Sequence, residues 1–384
     1  MKSLSVLLLD EQGHHSQKVA LCLGQIPGLK VHVLSDERWV PVRFSRHITS
    51  FRFHAPNISE MQKLQTVLQT IEETASDVIL PIVEGSSHFL HRCREFLAPR
   101  IALPPCAQSS TVSLVSSKDS LCHFLKQNRL PLPETIDLET SGELEKDLGR
   151  IKFPILFKPA NGGEGQGIRT FVNRESFLDF MRTNPVAPRS IVQAYVEGHD
   201  VDCSVLCRDG SILAHTIQTS FRPRKNKFGS DDAIEFIEDR ETLKVVEPLV
   251  RALNWSGVAH IDLRYDKEDR QIKVLDFNAR YWTSLLGSLA AGVNFPYLAC
   301  RAAMGESFDR PLARKGRFFT AGAAARNFFT NCATQRGVKL GPGESGLPYA
   351  LKDPGPRIFT MLKKSVAFER RVVPVHFQKS WKLI

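Results

Sequence analysis

The chain has 384 residues, of which 42% are hydrophobic and 24% charged, as is typical of a globular protein with two or three packed units. No run of eighteen uninterrupted apolar residues occurs, which argues against a membrane-spanning helix, and the N-terminal apolar run is too short for a signal peptide. The net charge of +10 comes from residues 310–384, where 15 Lys or Arg stand against 3 Asp or Glu. Such a basic tail could meet nucleic acid or an anionic membrane surface, although a solvated face is the simpler interpretation.

Eight cysteines are scattered along the chain without a CxxC pair. Most lie in apolar segments, where a reduced cysteine acts as a small hydrophobic residue. A disulfide framework or a zinc site is therefore not expected, and a reducing cytoplasm is predicted. Cys203 and Cys207 fall on one predicted strand face, and a structural role is favoured for both over catalysis.

Residues 1–108 alternate apolar runs of strand length with helical patterns. Strands are predicted at Ser5–Leu9, Leu29–Leu34 and Asp77–Val83, with one helix through Val19 to Leu23 and a longer one at Ile58–Thr74. Alternation of this kind predicts an α/β unit with a parallel sheet. The turn after the first strand lacks GxGxxG, so a dinucleotide site is not indicated.

A second unit is predicted from Ser117, which begins a helix with Lys118 in its first turn. Further strands are predicted at residues 153–158, 168–172, 190–195, 201–207 and 212–219, and helices at 174–182 and 242–253. Residues 221–232 are too polar for regular structure, and a mobile basic loop is expected there. Two strands then follow on either side of a turn at residues 266–270.

The segment from Lys158 to Gly167 joins two predicted strands and holds four glycines, Gly162, Gly163, Gly165 and Gly167. Glycines let the backbone approach a ligand closely with its N–H groups exposed, and the lysine adds a fixed positive charge. Exposed N–H groups beside a lysine therefore predict a phosphate ligand. A P-loop is excluded because no GK[ST] follows, and an ordinary flexible hairpin remains the alternative.

The strand sequence VLDFNAR, residues 274–280, carries the strongest signal. Alternation predicts Asp276, Asn278 and Arg280 on one face, and Leu275 with Phe277 toward the core. If the hairpin is centred on residues 266–270, Asp262 is a diagonal neighbour of Asp276, about 7 Å away. Carboxylate and amide oxygens at that separation suit Mg²⁺, and an adjacent guanidinium can balance charge on a transferring phosphoryl group. The alternative is a solvated polar face with one salt bridge.

The apolar strand predicted at residues 191–196 is followed by Glu197, Gly198, His199 and Asp200. Its backbone could pair with a nucleotide base and place Asp200 near sugar hydroxyls. Taken alone, the segment is an ordinary strand and turn.

These segments, in this order, resemble the ATP-grasp superfamily, and within it the carboxylate–amine ligase branch. The resemblance covers residues 1 to about 308, including a stretch at 290–305 that is similar to the helical segment after the metal-binding strand. It implies a mixed α/β (α+β) fold: a pre-ATP-grasp parallel α/β domain (1–108), then a two-part ATP-grasp domain that clasps ATP between two sheets. Its parts would be a lid subdomain (109–190) and a metal-binding subdomain (191–310), followed by a basic C-terminal extension (311–384).

The resemblance also implies roles for individual residues. Lys118 and Lys158 would hold ATP phosphates under the loop of Gly162, Gly163, Gly165 and Gly167. The adenine hinge would be Gln193, Ala194 and Val196, the ribose ligand Asp200, the metal ligands Asp262, Asp276 and Asn278, and the arginine that steadies the acyl phosphate Arg280. Two positions depart from the family pattern, because Gln193 and Asp276 stand where glutamate is common.

The implied reaction is ATP-dependent formation of an amide or peptide bond through an acyl phosphate, with release of ADP and phosphate. An amino acid or a small peptide is expected as substrate, two Mg²⁺ ions as cofactors with Mn²⁺ as a substitute, and small-molecule carboxylate and amine partners. No membrane span is expected, and a homodimer is left open. Arg222, Arg224, Lys225 and Lys227 in the basic loop are candidates for gripping a carboxylate or the γ-phosphate, unless that loop is simply solvated.

Three alternatives remain open. One is ATP-grasp phosphotransfer or carboxylation with another acceptor, and a second is an ATP-binding module without catalysis. The third is a nucleic-acid-binding protein that acts through the basic tail, in which aromatic residues interleave with Lys and Arg (Phe318, Phe319, Phe328, Phe329 and Trp381).

Overall fold

The computed structural model describes residues 3–11, 15–142, 144–162, 165–184, 189–222, 231–334 and 337–372. Three sheets organise these residues. The first is parallel and N-terminal, and the other two are antiparallel and follow in chain order. The predicted mixed α/β fold is confirmed.

The first sheet is built from residues 5–81 and has the strand order β3-β2-β1-β4, with all pairs parallel. Its strands are β1 (Ser5–Asp10), β2 (Lys30–Ser35), β3 (Ser50–Phe53) and β4 (Val78–Pro81), and the accompanying helices are α1 (Ser16–Leu23), α2 (Glu60–Thr74), α3 (Glu84–Arg92) and α4 (Arg94–Leu97). Ser59 begins α2 through a capping box with Gln62, in which two otherwise unpaired N–H groups are satisfied. Strand β3 and helices α3 and α4 were not predicted from the sequence.

The second sheet has the order β5-β8-β6-β7. Its strands and flanking helices are α5 (Ser109–Ser116), α6 (Lys118–Gln127), β5 (Thr135–Asp137), α7 (Leu144–Leu148), β6 (Ile155–Pro159), β7 (Arg169–Phe171), α8 (Arg174–Thr183) and β8 (Ser190–Ala194). Helix α6 begins after Ser117 as predicted, but the Ser117 hydroxyl donates to the Asp119 carboxylate instead of capping the helix.

The third sheet has six strands in the order β13-β12-β9-β10-β11-β14. Its elements, with the helices that follow, are β9 (Gly198–Arg208), β10 (Ser211–Ser220), β11 (Ala233–Ile237), α9 (Arg240–Ala252), β12 (Gly257–Asp266), β13 (Ile272–Asn278), α10 (Leu285–Ala290), α11 (Phe295–Ala303), β14 (Gly316–Phe319), α12 (Ala321–Thr334), α13 (Leu347–Lys352) and α14 (Gly355–Val372). The β9–β10 turn contains Asp209 and Gly210, both with positive φ, which is the geometry of a tight hairpin.

The six-stranded sheet has a packed core on each face. On one face, Cys203, Cys207 and Phe277 are buried with side chains from α5, α6 and α9. On the other face, Leu206 and Trp282 join a core that also contains Val6 of the N-terminal sheet. This shared core fixes the N-terminal unit against the sheet that carries Asp262 and Asp276.

All eight cysteines are free. Cys203 and Cys207 are fully buried, and burial raises the pKa of both thiols. A buried neutral thiol is a poor nucleophile, which agrees with the predicted structural role.

The described part of the tail contains a strand and three helices that were not predicted from the sequence. Strand β14 pairs with β11 and completes the six-stranded sheet, and it buries Phe318 and Phe319. These two aromatics are therefore not available for stacking on bases, whereas Phe328 and Phe329 are exposed. Trp381 lies outside the described residues.

The four-segment division of the chain remains a prediction. Strand β8 crosses the proposed boundary at residue 190 and pairs within the small sheet, and β14 lies beyond the boundary at 310. The strand pairing favours boundaries that keep each of these strands with its sheet.

No helix within the described residues is long and apolar enough to cross a membrane.

Asp10 at the end of β1 gives a stability prediction that depends on pH. Burial raises the pKa of this carboxyl to about 6, although the Ser35 hydroxyl donates to it. Because the folded pKa lies above the unfolded one, the stabilisation is complete below about pH 4 and is lost as pH rises through 6, by up to about 3 kcal/mol. Asp10→Asn should remove that loss, so urea unfolding at pH 8 should show a more stable variant. Equal stabilities at pH 8 would contradict the assignment.

Candidate active site

A cavity of about 700 Å³ lies between the small sheet and the six-stranded sheet. Strands β6 and β8 supply one wall, and β9, β10, β12 and β13 supply the other. Nearly all of the described residues predicted as site residues line this cavity: Lys118, Lys158, Gly162, Gly165, Gln193, Ala194, Val196, Asp200, Arg222, Asp262, Asp276, Asn278 and Arg280. Gly163, Arg224, Lys225 and Lys227 lie outside the described residues.

The acidic residues of the metal strands are closer than the sequence suggested. Asp262 on β12 lies directly opposite Asp276 on β13, and not diagonally as predicted. The cause is a bulge, because the next paired residues are Leu263 and Val274, which leaves Leu275 without a partner in the ladder. The bulge also turns Leu275 to the cavity wall, so its predicted core position is wrong, while Phe277 is in the core.

Asn278 and Arg280 continue this row of polar groups. The Asn278 amide donates to the Asp262 carboxylate at 3.4 Å, and Arg280 donates to the Asn278 side-chain oxygen at 3.1 Å. Arg280 also donates to Nε2 of His15 at 3.2 Å, since a guanidinium has no acceptor. His15 stands at the start of α1, 265 residues from Arg280, and was not predicted as a site residue.

Two lysines reach the same acidic edge from the small-sheet side. Lys118 Nζ donates to the Gly162 carbonyl at 2.8 Å and lies 3.8 Å from the Asp276 carboxylate. Lys158 on β6 is buried and donates to Gln193 Oε1 at 2.6 Å. Burial lowers the pKa of the Lys158 ammonium, and the nearby Asp276 carboxylate opposes that shift. An anionic group placed in the cavity would favour the charged form of Lys158.

The glycine loop leaves β6 with unusual backbone angles. Gly162 has a φ angle of 119° and Gly167 a φ angle of 75°. Residues other than glycine rarely adopt either angle. At Gly167 a Cβ atom would also lie 2.8 Å from the Pro159 ring. The Lys118–Gly162 contact holds the start of this loop against helix α6.

The segment predicted as the adenine hinge forms the opposite end of the cavity. Gln193, Ala194 and Val196 line it, and the buried Gln193 side chain accepts a hydrogen bond from Lys158 and donates one to Thr135. Asp200, the predicted ribose ligand, lines the cavity but forms an ion pair with Arg264.

The contacts of Arg264 were not predicted from the sequence. Besides Asp200, its guanidinium donates to the carbonyl of Val196 at 2.7 Å, the carbonyl of Gly198 at 3.1 Å and the hydroxyl of Tyr195 at 3.2 Å. One side chain on β12 therefore holds the turn between β8 and β9 in place.

Sequence reasoning also missed Asp202 and His260, which lie beside the predicted ligand Asp262. Their ligand atoms lie within 4.8 Å of one another, so among the described residues this trio could hold a metal ion. His260 Nδ1 is 2.9 Å from the Ser204 hydroxyl, and Nε2 is 3.4 Å from the Asp262 carboxylate. Strand alternation was the available signal, because Asp202 and His260 are each two residues from a predicted ligand.

A series of two hydrogen bonds between uncharged side chains and Asp202 orients this carboxylate. The Ser284 hydroxyl donates to Gln218 Oε1 at 2.8 Å, and the Gln218 amide donates to Asp202 at 3.4 Å. All three residues are buried or nearly so. The carboxylate therefore has a fixed position on the cavity wall.

Arg222, the described member of the basic loop, points partly away from the acidic edge. It donates to Asn327 on α12 at 2.9 Å and lies over the Phe319 ring. Its guanidinium thus links the segment that follows strand β10 to the C-terminal segment.

Sequence relatives share the region that builds this cavity. Residues 115–284 match the family model of the ATP-grasp domain. D-Alanine–D-alanine ligase of Anaplasma marginale is 23% identical over 198 residues, which is 46% of this chain and 57% of that protein. D-Aspartate ligase of Enterococcus faecium is 23% identical over 259 residues, 60% of this chain and 61% of that protein. The chain thus spans less than two thirds of each relative.

Solved structures with a similar fold cover more of the chain. N5-carboxyaminoimidazole synthetase of Staphylococcus aureus complexed with ADP gives a TM-score of 0.65 at 16% identity, covering 87% of both chains. L-Amino acid ligase of Bacillus licheniformis gives 0.58 at 20% identity, covering 79% of this chain and 75% of that one. At these identities the likeness concerns the fold. The resemblance noted from the sequence is confirmed by the match of residues 115–284 to the ATP-grasp domain.

Proposed function

We propose that this protein is an ATP-dependent ligase that joins a carboxylate to an amine through an acyl phosphate, with an amino acid or a small peptide as substrate. The observation that carries the proposal is the convergence of two lysines, three oxygen ligands and an arginine on one cavity (Lys118, Lys158, Asp262, Asp276, Asn278 and Arg280). The similarity to two ligases of amino acids supports this choice of substrate class.

ATP would lie along the cavity between the two sheets. Ala194 and Val196 would face the base and Asp200 the ribose, while Lys118 and Lys158 would hold the phosphates. Two Mg²⁺ ions, or Mn²⁺ in their place, would neutralise charge on the phosphates when bound by Asp262, Asp276 and Asn278. The direct opposition of the two aspartates suits ligands that share a cation.

The first step would be attack of a substrate carboxylate oxygen on the γ-phosphorus, with rupture of the bond to the bridging oxygen and departure of ADP. In the second step the amine nitrogen would attack the acyl carbon, the bond to the phosphate oxygen would break, and the amine would release a proton as phosphate departs. Arg280 would donate to the oxygens on which negative charge develops. No protein nucleophile is needed, and catalysis would come from positioning and electrostatics.

A carboxylating enzyme with the same fold is the second candidate, because several of the similar solved structures are carboxylases or N5-carboxyaminoimidazole synthetases. In that case bicarbonate would replace the organic acid.

The homodimer stays a prediction, and the free thiols support the proposed cytoplasmic location.

The substrate requirement tests the proposed function directly. ADP release should need Mg²⁺, an organic acid and an amine together, and mass spectrometry should detect the condensed product from a matrix of amino acids. Chelation of Mg²⁺ should stop ADP release. Full ADP release with bicarbonate and no organic acid would favour the carboxylation alternative, and none with any pair would remove both.

Two substitutions test the assigned roles. Arg280→Ala and Asp276→Asn should each lower turnover by at least about 10²-fold, since each removes charge that acts on the transferring phosphoryl group. Asp276→Asn should leave the melting temperature unchanged or higher, because it relieves repulsion with Asp262.

Matched controls lie outside the cavity. Asp269→Asn changes a carboxylate at the β12–β13 turn, and Arg251→Ala changes an exposed arginine near the end of α9. Both should retain wild-type turnover. Wild-type rates in the Arg280 or Asp276 variants would show that the assigned roles are wrong.

A further inference from the structure

Helix α14 presents an apolar face to solvent. Ile358, Met361 and Leu362 follow the i, i+3, i+4 spacing of one helix face, and they are 54%, 63% and 61% exposed. Exposed single apolar residues are common, but three in this spacing form a continuous patch. Such a patch is typical of a surface that binds another molecule.

The helix that carries this face is firmly held. The buried Asp353 carboxylate accepts hydrogen bonds from the Ser45 hydroxyl at 2.6 Å and the Arg46 N–H at 2.9 Å. Phe359 stacks on Phe44 with ring centroids 4.6 Å apart. Because α14 is anchored to the N-terminal unit, the exposed face has a fixed orientation.

The apolar face continues onto the N-terminal unit. Phe44 is 39% exposed and stacks on Trp39, which is 56% exposed. Leu351 on α13 is 71% exposed. We call the exposed apolar side chains of these neighbouring segments the basic apolar surface, named also for the charges around them: Trp39, Phe44, Leu351, Ile358, Met361 and Leu362.

The charges of the same two segments, residues 38–46 and 347–365, have one sign at the surface. Their exposed basic residues are Arg38, Arg43, Arg46, Lys352, Arg357 and Lys363. The one acid in the sequence of these segments is Asp353, which is buried and hydrogen-bonded. Asp36 and the exposed Glu37 directly precede the first segment, so basic residues outnumber exposed acids around this surface. A partner that is both anionic and apolar complements it.

An anionic lipid surface meets both requirements. Aliphatic side chains enter the boundary between headgroups and acyl chains, tryptophan prefers that depth, and Lys or Arg around them pair with lipid phosphates. Nucleic acid fits less well, because four of the six side chains, Leu351, Ile358, Met361 and Leu362, are not aromatic and offer no ring on which a base could stack. A second copy of this chain would bring like charges together. We propose that the basic apolar surface docks this protein on membranes that contain anionic lipids.

Vesicle sedimentation of the full-length chain tests the proposal. The protein should pellet with vesicles of phosphatidylcholine mixed with phosphatidylglycerol, and should stay in the supernatant with phosphatidylcholine alone. Added salt should weaken binding, because the attraction is partly electrostatic. Ile358→Gln with Leu362→Gln should lower the partition coefficient by at least about tenfold through loss of apolar burial.

Charge reversal tests the basic component separately. Arg357→Glu with Lys363→Glu should also lower binding by at least about tenfold, given that each basic residue near the surface contributes about fivefold. The matched controls are Leu312→Gln, which changes an 88% exposed leucine elsewhere, and Lys30→Glu with Lys244→Glu, which reverses two exposed charges outside the segments. Controls should bind as the wild type does, and circular dichroism should show all variants folded.

Several results would overturn the proposal. Absence of pelleting with anionic vesicles is one, and binding that appears only after deletion of residues 373–384 would show that this segment covers the surface instead. A wild-type dimer in light scattering that the Gln variant converts to a monomer would assign the surface to self-association. Equal vesicle binding by the Gln variant and the wild type would place the contact elsewhere.

Discussion

Asp262 and Asp276 face each other across two paired strands, and like charges in that position repel. A fold keeps such a pair when cations offset the repulsion. The structure provides Lys118 at 3.8 Å from Asp276 and, through Asn278, the guanidinium of Arg280. The remaining lone pairs of the two carboxylates face a cavity that is large enough for a nucleotide and its metal ions. The need to neutralise this carboxylate pair explains why basic groups from three parts of the chain meet at one edge.

The apolar layer under these strands makes the arrangement rigid. Ile261 and Phe277 pack on the buried side of the β12–β13 pair, and Trp255 meets Phe277 edge to face at 4.8 Å. Repacking that core would move both aspartates together. On the other side, Trp282 lies parallel to the His260 ring and also belongs to the core shared with the N-terminal sheet. The positions of the polar residues therefore depend on two cores, and the N-terminal unit contributes to the site through packing as well as through His15.

Local patterns in the sequence predicted most of the strands, the turn glycines and the polar face of β13, because each depends on neighbours within a few residues. The bulge at Leu275 was not predictable, since the inserted residue has no signature apart from the register of the partner strand. The same holds for contacts between distant residues. Arg264 lies 64 positions from Asp200, and His15 lies 265 positions from Arg280. Neither pairing follows from propensity or spacing. Strand β14 was missed because it is only four residues long and begins at a glycine, so its order depends on pairing with β11.

The two ends of the cavity differ in how firmly the backbone is held. At the hinge end, four acceptors bind the single guanidinium of Arg264, so the β8–β9 turn has little freedom. At the phosphate end, Gly162 and Gly167 adopt positive φ, and the contact from Lys118 to the Gly162 carbonyl uses a lysine that a phosphate would also attract. Arrival of a polyphosphate would therefore compete for Lys118 and release that carbonyl, while the hinge end kept its shape. If ATP binds as proposed, the end of the cavity that receives the base would keep its shape, and the backbone that receives the phosphates would adjust to them.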